Sequence, residues 1–230
     1  MQLKKLVVLT GAGISAESGL RTFRDSDGLW EGYDVTEVAS PEGWRRNPAL
    51  VLDFYNQRRK NVAAAVPNSA HMGLAGLEKY FEVQVITQNI DDLHERAGST
   101  HVLHLHGGIF KMRSDRSVKP SYEIKDDIHL GDKAPDGGQL RPDIVWFGEP
   151  VPMIVPAARL AAEADIFVVI GTSLVVYPAA GLLEEVPATV PKYIIDKTIP
   201  QMRNIPRLVA IEKPATEGVA ELTQLLIADI

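Results

Sequence analysis

Four groups of residues in this 230-residue sequence could do chemistry, and each follows an apolar run. The first is Gly11-Ala12-Gly13-Ile14-Ser15-Ala16, a G-x-G-x-x-A pattern directly after Leu6–Thr10. Glycines there permit a tight turn and close approach of backbone to a pyrophosphate. A helix starting at that point would add free N–H groups and a partial positive charge. The same pattern also serves a strand–helix turn that binds nothing. A standard dinucleotide fold wants an acidic residue about 20 positions on, at the end of a second strand. The chain instead continues Glu17-Ser18-Gly19-Leu20-Arg21-Thr22-Phe23-Arg24-Asp25 with no strand pattern. A dinucleotide bound here is not held as a hydride-transfer dehydrogenase holds one.

The second group is Thr87-Gln88-Asn89-Ile90-Asp91, at the carboxyl end of the run Val83–Thr87. Ligands of open α/β sheets bind at strand carboxyl ends, and these amide and carboxylate groups could read a nucleotide or a carboxamide. Asn and Asp also cap helices, so a capping turn is the other reading. The third is His104-Leu105-His106-Gly107-Gly108. A neutral His106 at a strand end suits a general base near pH 7. His101, His104 and His106 also raise the question of a metal, but no further His or Cys cluster accompanies them. The fourth is Gly171-Thr172-Ser173 after Ile166–Ile170, suited to a ribose or phosphate, with Asp196 ending the next run as an acceptor for ribose hydroxyls. Four polar strand ends in one sheet weigh more than any one of them.

The elements that must position these groups follow from pattern. Leu6–Thr10, Val83–Thr87, Val102–Leu105, Ile166–Ile170, Tyr193–Ile195 and Leu208–Ile211 read as buried parallel strands. Ala157–Ala164, Pro178–Glu185 and Gly218–Ala228 read as helices between or after them. The alternation predicts a doubly wound, Rossmann-like α/β sheet. Residues 32–78 read as helical without strands, and the polar stretch 108–142 either folds with them or stays a long loop. The expected division is therefore a sheet domain of residues 1–31, 79–107 and 143–230, and an inserted small lobe of residues 32–78 and 108–142, with a cleft between them for a ligand.

Composition excludes several classes. Apolar residues make up 45% and charged residues 23%, ordinary globular usage. With 24 Lys and Arg against 30 Asp and Glu, the net charge of -6 is ill suited to gripping phosphate backbones or anionic membranes. Neither a nucleic acid nor a membrane is an expected partner: no apolar run approaches a span of about 20 residues. Met1-Gln2-Leu3-Lys4-Lys5 leads into a strand pattern and not a signal peptide. With no cysteine, there can be no disulfide, thiolate zinc site or Cys nucleophile. A reducing, cytoplasmic setting is expected, and a monomer.

Taken together these motifs resemble the sirtuin family. The resemblance rests on Gly11-Ala12-Gly13-Ile14-Ser15, Phe23-Arg24, Thr87-Gln88-Asn89-Ile90-Asp91 and His106-Gly107. It extends through Arg141-Pro142, Val145-Trp146-Phe147-Gly148-Glu149 and Gly171-Thr172-Ser173 to Pro178-Ala179-Ala180. Their order and spacing cover nearly the whole chain. The resemblance implies an NAD-dependent protein lysine deacylase whose partners are acylated lysine side chains. It implies NAD contacts at Gly11, Ala12, Gly13, Phe23, Arg24, Gln88, Asn89, Asp91, Gly171, Thr172, Ser173, Asp196 and Ala215. It makes His106 and Asn89 catalytic, with His106 taking a proton from a ribose hydroxyl. The substrate peptide is expected to add as a strand beside Val145, Phe147, Gly148 and Glu149.

A branch of the family acting on succinyl- and malonyl-lysine carries an Ala and then Tyr-x-x-Arg, matched here by Ala39, Tyr55 and Arg58. Asn47-Pro48 reads as the start of that helix, and residues three apart share a face. Read alone, Tyr55 and Arg58 are better taken as surface residues beside the basic run Arg58-Arg59-Lys60; the resemblance reverses that reading. A carboxylate-ended acyl chain needs a cationic partner in an apolar pocket, and a guanidinium binds it through two N–H groups. Desuccinylation with deacetylation is the resulting expectation.

Most sirtuins hold zinc through two Cys-x-x-Cys pairs. The corresponding positions here are Ser114, Ser117, Lys133 and Asp136, so no zinc is expected. A protein ADP-ribosyltransferase using the same NAD site is the alternative activity. A non-enzymatic NAD sensor would have no need of His106, and an oxidoreductase lacks its acidic strand end.

Overall fold

Each apolar run forms a strand; those at the centre, Leu6–Thr10 and Ile166–Ile170, bury both faces inside a sheet covered on two sides, while the edge run Leu208–Ile211 leaves Val209 48% exposed. The computed structural model describes residues 3–21, 29–30, 32–200 and 204–228. The expected NAD contacts Phe23 and Arg24 lie outside the described residues. The chain runs from β1 (Lys5–Thr10) through β2 (Leu29–Trp30) and β3 (Tyr33–Asp34) to α1 (Val35–Val38), α2 (Pro41–Arg46), α3 (Pro48–Ala64) and α4 (Ser69–Leu77). It continues with β4 (Glu82–Thr87), α5 (Leu93–Arg96), β5 (Val102–His104), β6 (Gly107–Ser114), β7 (Ser121–Glu123) and β8 (Leu140–Ile144). It ends with α6 (Ile154–Ala162), β9 (Ile166–Ile170), β10 (Lys192–Asp196), β11 (Leu208–Glu212) and α7 (Ala215–Ala228).

Six strands form one sheet in the order β11-β10-β9-β1-β4-β5, and every neighbouring pair is parallel. Side chains alternate across a strand. Leu6 and Val8 of β1 therefore pack with Leu74 and Leu77 of α4 and Val219 and Leu222 of α7 on one face. Val7 and Leu9 pack with Ala157 and Ala161 of α6 on the other. This is the expected doubly wound, Rossmann-like architecture.

Three local expectations need correction. No α-helix follows the glycine pattern; two short 3₁₀ turns, Ala12–Ile14 and Ala16–Ser18, do. The second ends at Gly19 with φ +85°, a left-handed conformation that glycine adopts without the cost other residues bear. Pro178–Glu185 is likewise not an α-helix but a 3₁₀ segment, Ala179–Leu183. Residues 32–78 are mostly helical, but β3 pairs antiparallel with β2.

The polar stretch 108–142 is built into a three-stranded antiparallel sheet, β7-β6-β8. Asn47 starts α3 as read from the sequence, accepting a hydrogen bond from Leu50 N with Pro48 in the first turn. Along α3, Phe54, Tyr55 and Val62 join Trp30, Ala39, Ile109, Ile144 and Trp146 in a third buried cluster. Two members of the basic run point inward. Arg59 is 1% exposed and donates to the Ile109 and Asp126 carbonyls and to Asn56 Oδ1. Asn56 in turn brackets Ile128 through its N–H and carbonyl. α3 thus ties the segment 124–128 to the small sheet. Among the described residues no helix is long and apolar enough to cross a membrane.

Candidate active site

The carboxyl ends of β1, β4 and β9 open into a cleft of about 760 Å³, whose far wall comes from α3 and the segment after β8. Its glycines are fixed by packing. Gly13 N donates to Gly171 O at 2.8 Å, and a Cβ at Gly13 would stand 2.6 Å from Gly171 Cα. The two strand-end turns touch backbone to backbone, which only glycine allows.

Of the residues singled out by sequence, Gly11, Ala12, Gly13, Gln88, Asn89, Asp91, His106, Gly171, Thr172 and Ser173 line this cleft. Ala39, Tyr55, Arg58, Val145, Phe147, Gly148 and Glu149 line it too. Asp196 and Ala215 do not. Asp196 is buried at the end of β10 and accepts from Thr198 N, and Ala215, the first residue of α7, packs into the core.

The Gln88–Asp91 turn is held from beneath. Asn89 N donates to Thr87 Oγ1 at 3.0 Å, and Asn89 Nδ2 to Gly11 O and Ser15 Oγ, both at 3.2 Å. Ser15 Oγ donates to Asp91 Oδ2 at 3.0 Å. Burial raises the Asp91 carboxyl above its ordinary value, against the Leu93 N–H and Ser15 hydroxyl that lower it. Under this turn lie His71 and His94, which sequence reading passed over. His71 Nδ1 accepts from Asn68 N, and its Nε2 stands 3.5 Å from Ser15 Oγ. Burial lowers His71 to about 4 and His94 to about 3, so both are neutral. The signal for His71 was present: Asn68 followed three residues later by a side chain able to close a capping box.

The two histidines of the strand-end group behave oppositely. His106 Nδ1 lies 2.9 Å from the Gln88 carbonyl. A carbonyl only accepts, so Nδ1 carries the proton and Nε2 is left with a lone pair. Burial lowers the His106 pKa, only partly opposed by that bond. The group is a neutral base. His104 faces acceptors at both nitrogens, the Asn89 carbonyl at 3.0 Å and Glu95 Oε1 at 2.7 Å. Burial disfavours its charged form, but the Glu95 hydrogen bond and charge outweigh burial and the pKa is raised.

On the far wall, the Val145 and Phe147 amides donate to the His106 and Ala39 carbonyls, each at 3.0 Å. Trp146 N donates to Glu149 Oε2 at 2.8 Å. Glu149 also receives Arg141 and Arg113. Its carboxylate is committed within the protein, so any hold on a peptide strand here falls to the main chain of this segment, as the sequence reading expected. A peptide laid along this segment draws on its other main-chain groups, with Phe147, 48% exposed, at the mouth. Tyr55 is fully buried, and its oxygen accepts from Trp146 Nε1 at 3.0 Å.

The residues at the expected metal positions do not fit zinc. They offer two hydroxyls, an ammonium and one carboxylate, and two of them are already joined: Ser114 Oγ donates to Asp136 Oδ1 at 2.8 Å. Gly138 N and Arg116 N close the same knot onto Asp136 and Ser114. Among the described residues no group of three or more His, Asp or Glu is placed to hold a metal.

Comparisons with known proteins agree over most of the chain. The Sir2 family model matches residues 11–178. An NAD-dependent protein deacylase of Bacteroides thetaiotaomicron is 55% identical over 231 residues, covering 98% of this chain and 99% of the relative. A Helicobacter pylori protein of the same name is 52% identical over 228 residues, with 98% of each covered. A solved complex of a Sir2 homologue with NAD has a TM-score of 0.88 at 38% identity, covering 99% of this chain and 91% of that one. A mutant Sir2 homologue in complex with ADP ribose gives a TM-score of 0.89, also at 38% identity, covering 99% and 93%.

Proposed function

The chain belongs to the Sir2 family, and from that premise we propose an NAD-dependent protein-lysine deacylase that removes succinyl and malonyl groups as well as acetyl. One observation carries the acyl reading: Ala39, Tyr55 and Arg58 line the same cleft as Asn89 and His106. The deacylase names of relatives about half identical to this chain support the reaction class.

The residues suit NAD. The Gly11–Gly13 turn against Gly171, with Thr172 and Ser173 beside it, would take the phosphates and adenosine side. Asn89 and Asp91 would take the nicotinamide ribose and carboxamide. When bound, NAD supplies a sugar carbon whose bond to nicotinamide can break as an acyl oxygen attacks. His106, holding its proton on Nδ1, accepts a second at Nε2 from a ribose hydroxyl. Such general-base help contributes about 10²–10⁴ in rate. The ribose oxygen so freed would attack the acyl carbon, and a water molecule would then release the lysine, so that the products would be nicotinamide, free lysine and O-acyl-ADP-ribose. We also assign the two bodies flanking the cleft to a sheet domain and an inserted small lobe. The packing of α4 on the sheet supports ending the lobe's first piece near residue 65 and not 78.

At the acyl end, Arg58 pairs with a terminal carboxylate and Tyr55 adds a hydroxyl donor, while Ala39 leaves space. A hydrogen bond to a charged group contributes about 1.5–3 kcal/mol, or roughly 10- to 100-fold. Arg58→Met is therefore expected to lower kcat/KM for a succinyl-lysine peptide by about that factor and to affect an acetyl-lysine peptide far less. Equal loss on both peptides would overturn the pocket assignment. Mass spectrometry of the same reactions tests the reaction itself: O-acyl-ADP-ribose supports it, and ADP-ribosylated protein in its place defeats it.

A further inference from the structure

Beyond the acyl pocket, and resting on that reading of it, the geometry points to Trp146 as a specificity-determining positioning residue that turns the Tyr55 hydroxyl toward carboxylate-ended acyl chains. An indole N–H can only donate. At 3.0 Å from the Tyr55 oxygen, Trp146 makes that oxygen an acceptor, so the phenolic hydrogen must point elsewhere. Burial pushes the Tyr55 phenol well above its ordinary pKa, so the hydrogen stays on. Tyr55 is among the residues lining the cleft, and with its oxygen engaged by Trp146 its hydroxyl is left to act only as a donor toward an acyl chain that reaches it. A donor matches a carboxylate and does little for a methyl group.

The indole cannot easily release this bond. The Arg141 guanidinium carbon lies 3.1 Å from the Trp146 ring centroid, and Arg141 is fixed by Glu149 at 2.8 Å. Glu149 also binds the Trp146 backbone amide. On its other sides the indole meets Trp44 at 5.7 Å and Tyr55 at 6.4 Å between centroids. The Arg141–Glu149 pair thus holds Trp146 in place from behind, although Glu149 also lines the cleft itself.

The test compares Trp146→Phe, Tyr55→Phe, Arg58→Met and the Trp146→Phe/Tyr55→Phe double variant, each assayed with NAD on succinyl and acetyl forms of one lysine peptide. The readout is the succinyl-to-acetyl ratio of kcat/KM, which is insensitive to the folded fraction. Trp146→Phe keeps an aromatic ring but loses the N–H together with the five-membered part of the indole, so the Tyr55→Phe background isolates the share due to the N–H. Trp146→Phe is expected to lower the ratio about three- to tenfold, mainly through the succinyl KM, and to add nothing once Tyr55 is Phe. A ratio that falls with Arg58→Met but not with Trp146→Phe overturns the role of Trp146 alone. So does an equal fall in the Tyr55→Phe background. A wild-type enzyme without desuccinylation, or an Arg58→Met ratio that stands still, overturns the pocket and this inference with it. A second measurement needs no Trp146 variant. Of the three indole N–H resonances, one should move strongly in ¹⁵N-labelled Tyr55→Phe, and none moving defeats the proposal.

Discussion

At the scale of single residues, the contrast between His104 and His106 decides what the cleft can do. Both lie on one side of the same stretch and both bond a carbonyl of the Gln88–Asn89 turn. Only His104 has a carboxylate on its second nitrogen. His106 therefore stays neutral, and burial sets its pKa below the ordinary 6.5. The sign follows directly: protonation removes the base, so activity is full above the folded pKa and lost as pH falls through it. The acid limb of kcat/KM is expected below pH 6.5. A limb above that value would contradict the environment assigned to His106. Replacing His106 with Ala is expected to lower turnover by about 10²–10⁴, measured by nicotinamide release. These roles were legible because a strand-end histidine and a strand-end Asn/Asp turn are local patterns. The Trp146–Tyr55 bond was not, since 91 residues separate the partners. Nor was the burial of Arg59, because a basic run reads as a solvated face until something shows carbonyls waiting for it.

At the scale of elements, the strands were readable because a continuous apolar run has one stable destination. The turns were not. Ser15 and Ser18 spend their hydroxyls on the side chains of Asp91 and Asn68 in other elements, and Gly19 takes a left-handed φ, so the segment closes as 3₁₀ turns where a glycine pattern alone predicts a helix. In the small sheet, polar side chains tie the strands together. Gln139 is 7% exposed. Its side chain accepts from Gly131 N at 2.7 Å and donates to the His129 and Leu140 carbonyls at 2.9 and 3.0 Å. Its backbone exchanges two further bonds with Asp115. Gln139→Ala strands these groups and is expected to cost about 1–3 kcal/mol, a drop of several degrees in Tm for a domain of this size. EDTA is expected to leave the wild-type Tm unchanged. A Tm that falls on chelation, or one tightly bound zinc per chain by metal analysis, would show that the knot is not what holds this sheet. Asp136 adds a pH term. The Gly138 amide first, and then the Ser114 hydroxyl, lower its pKa, so its contribution is present above the unfolded value and lost as pH falls through the folded one.

At the scale of the molecule, the cleft is a seam. Its one wall is the carboxyl end of the parallel sheet, and its other wall is the cluster that joins α3 to the small sheet. Polar bonds cross between them: Val145 N to His106 O, and Arg96 to the Val62 and Ala65 carbonyls. A ligand filling such a seam binds only the assembled state and stabilises the fold by mass action, about 2.7 kcal/mol at a hundred times Kd. For a chain of this length that corresponds to a rise in Tm of roughly 5–10 °C. NAD alone is expected to give this shift. The shift should survive His106→Ala, because that group acts on a proton and not on the hold. It should shrink strongly in Asp91→Ala, where a buried carboxylate bound to Ser15 is removed from the wall itself. Differential scanning calorimetry on the three proteins, with and without NAD, separates binding from chemistry. A shift lost in His106→Ala but kept in Asp91→Ala would reverse the two roles and displace the nucleotide from the strand ends of β1 and β4.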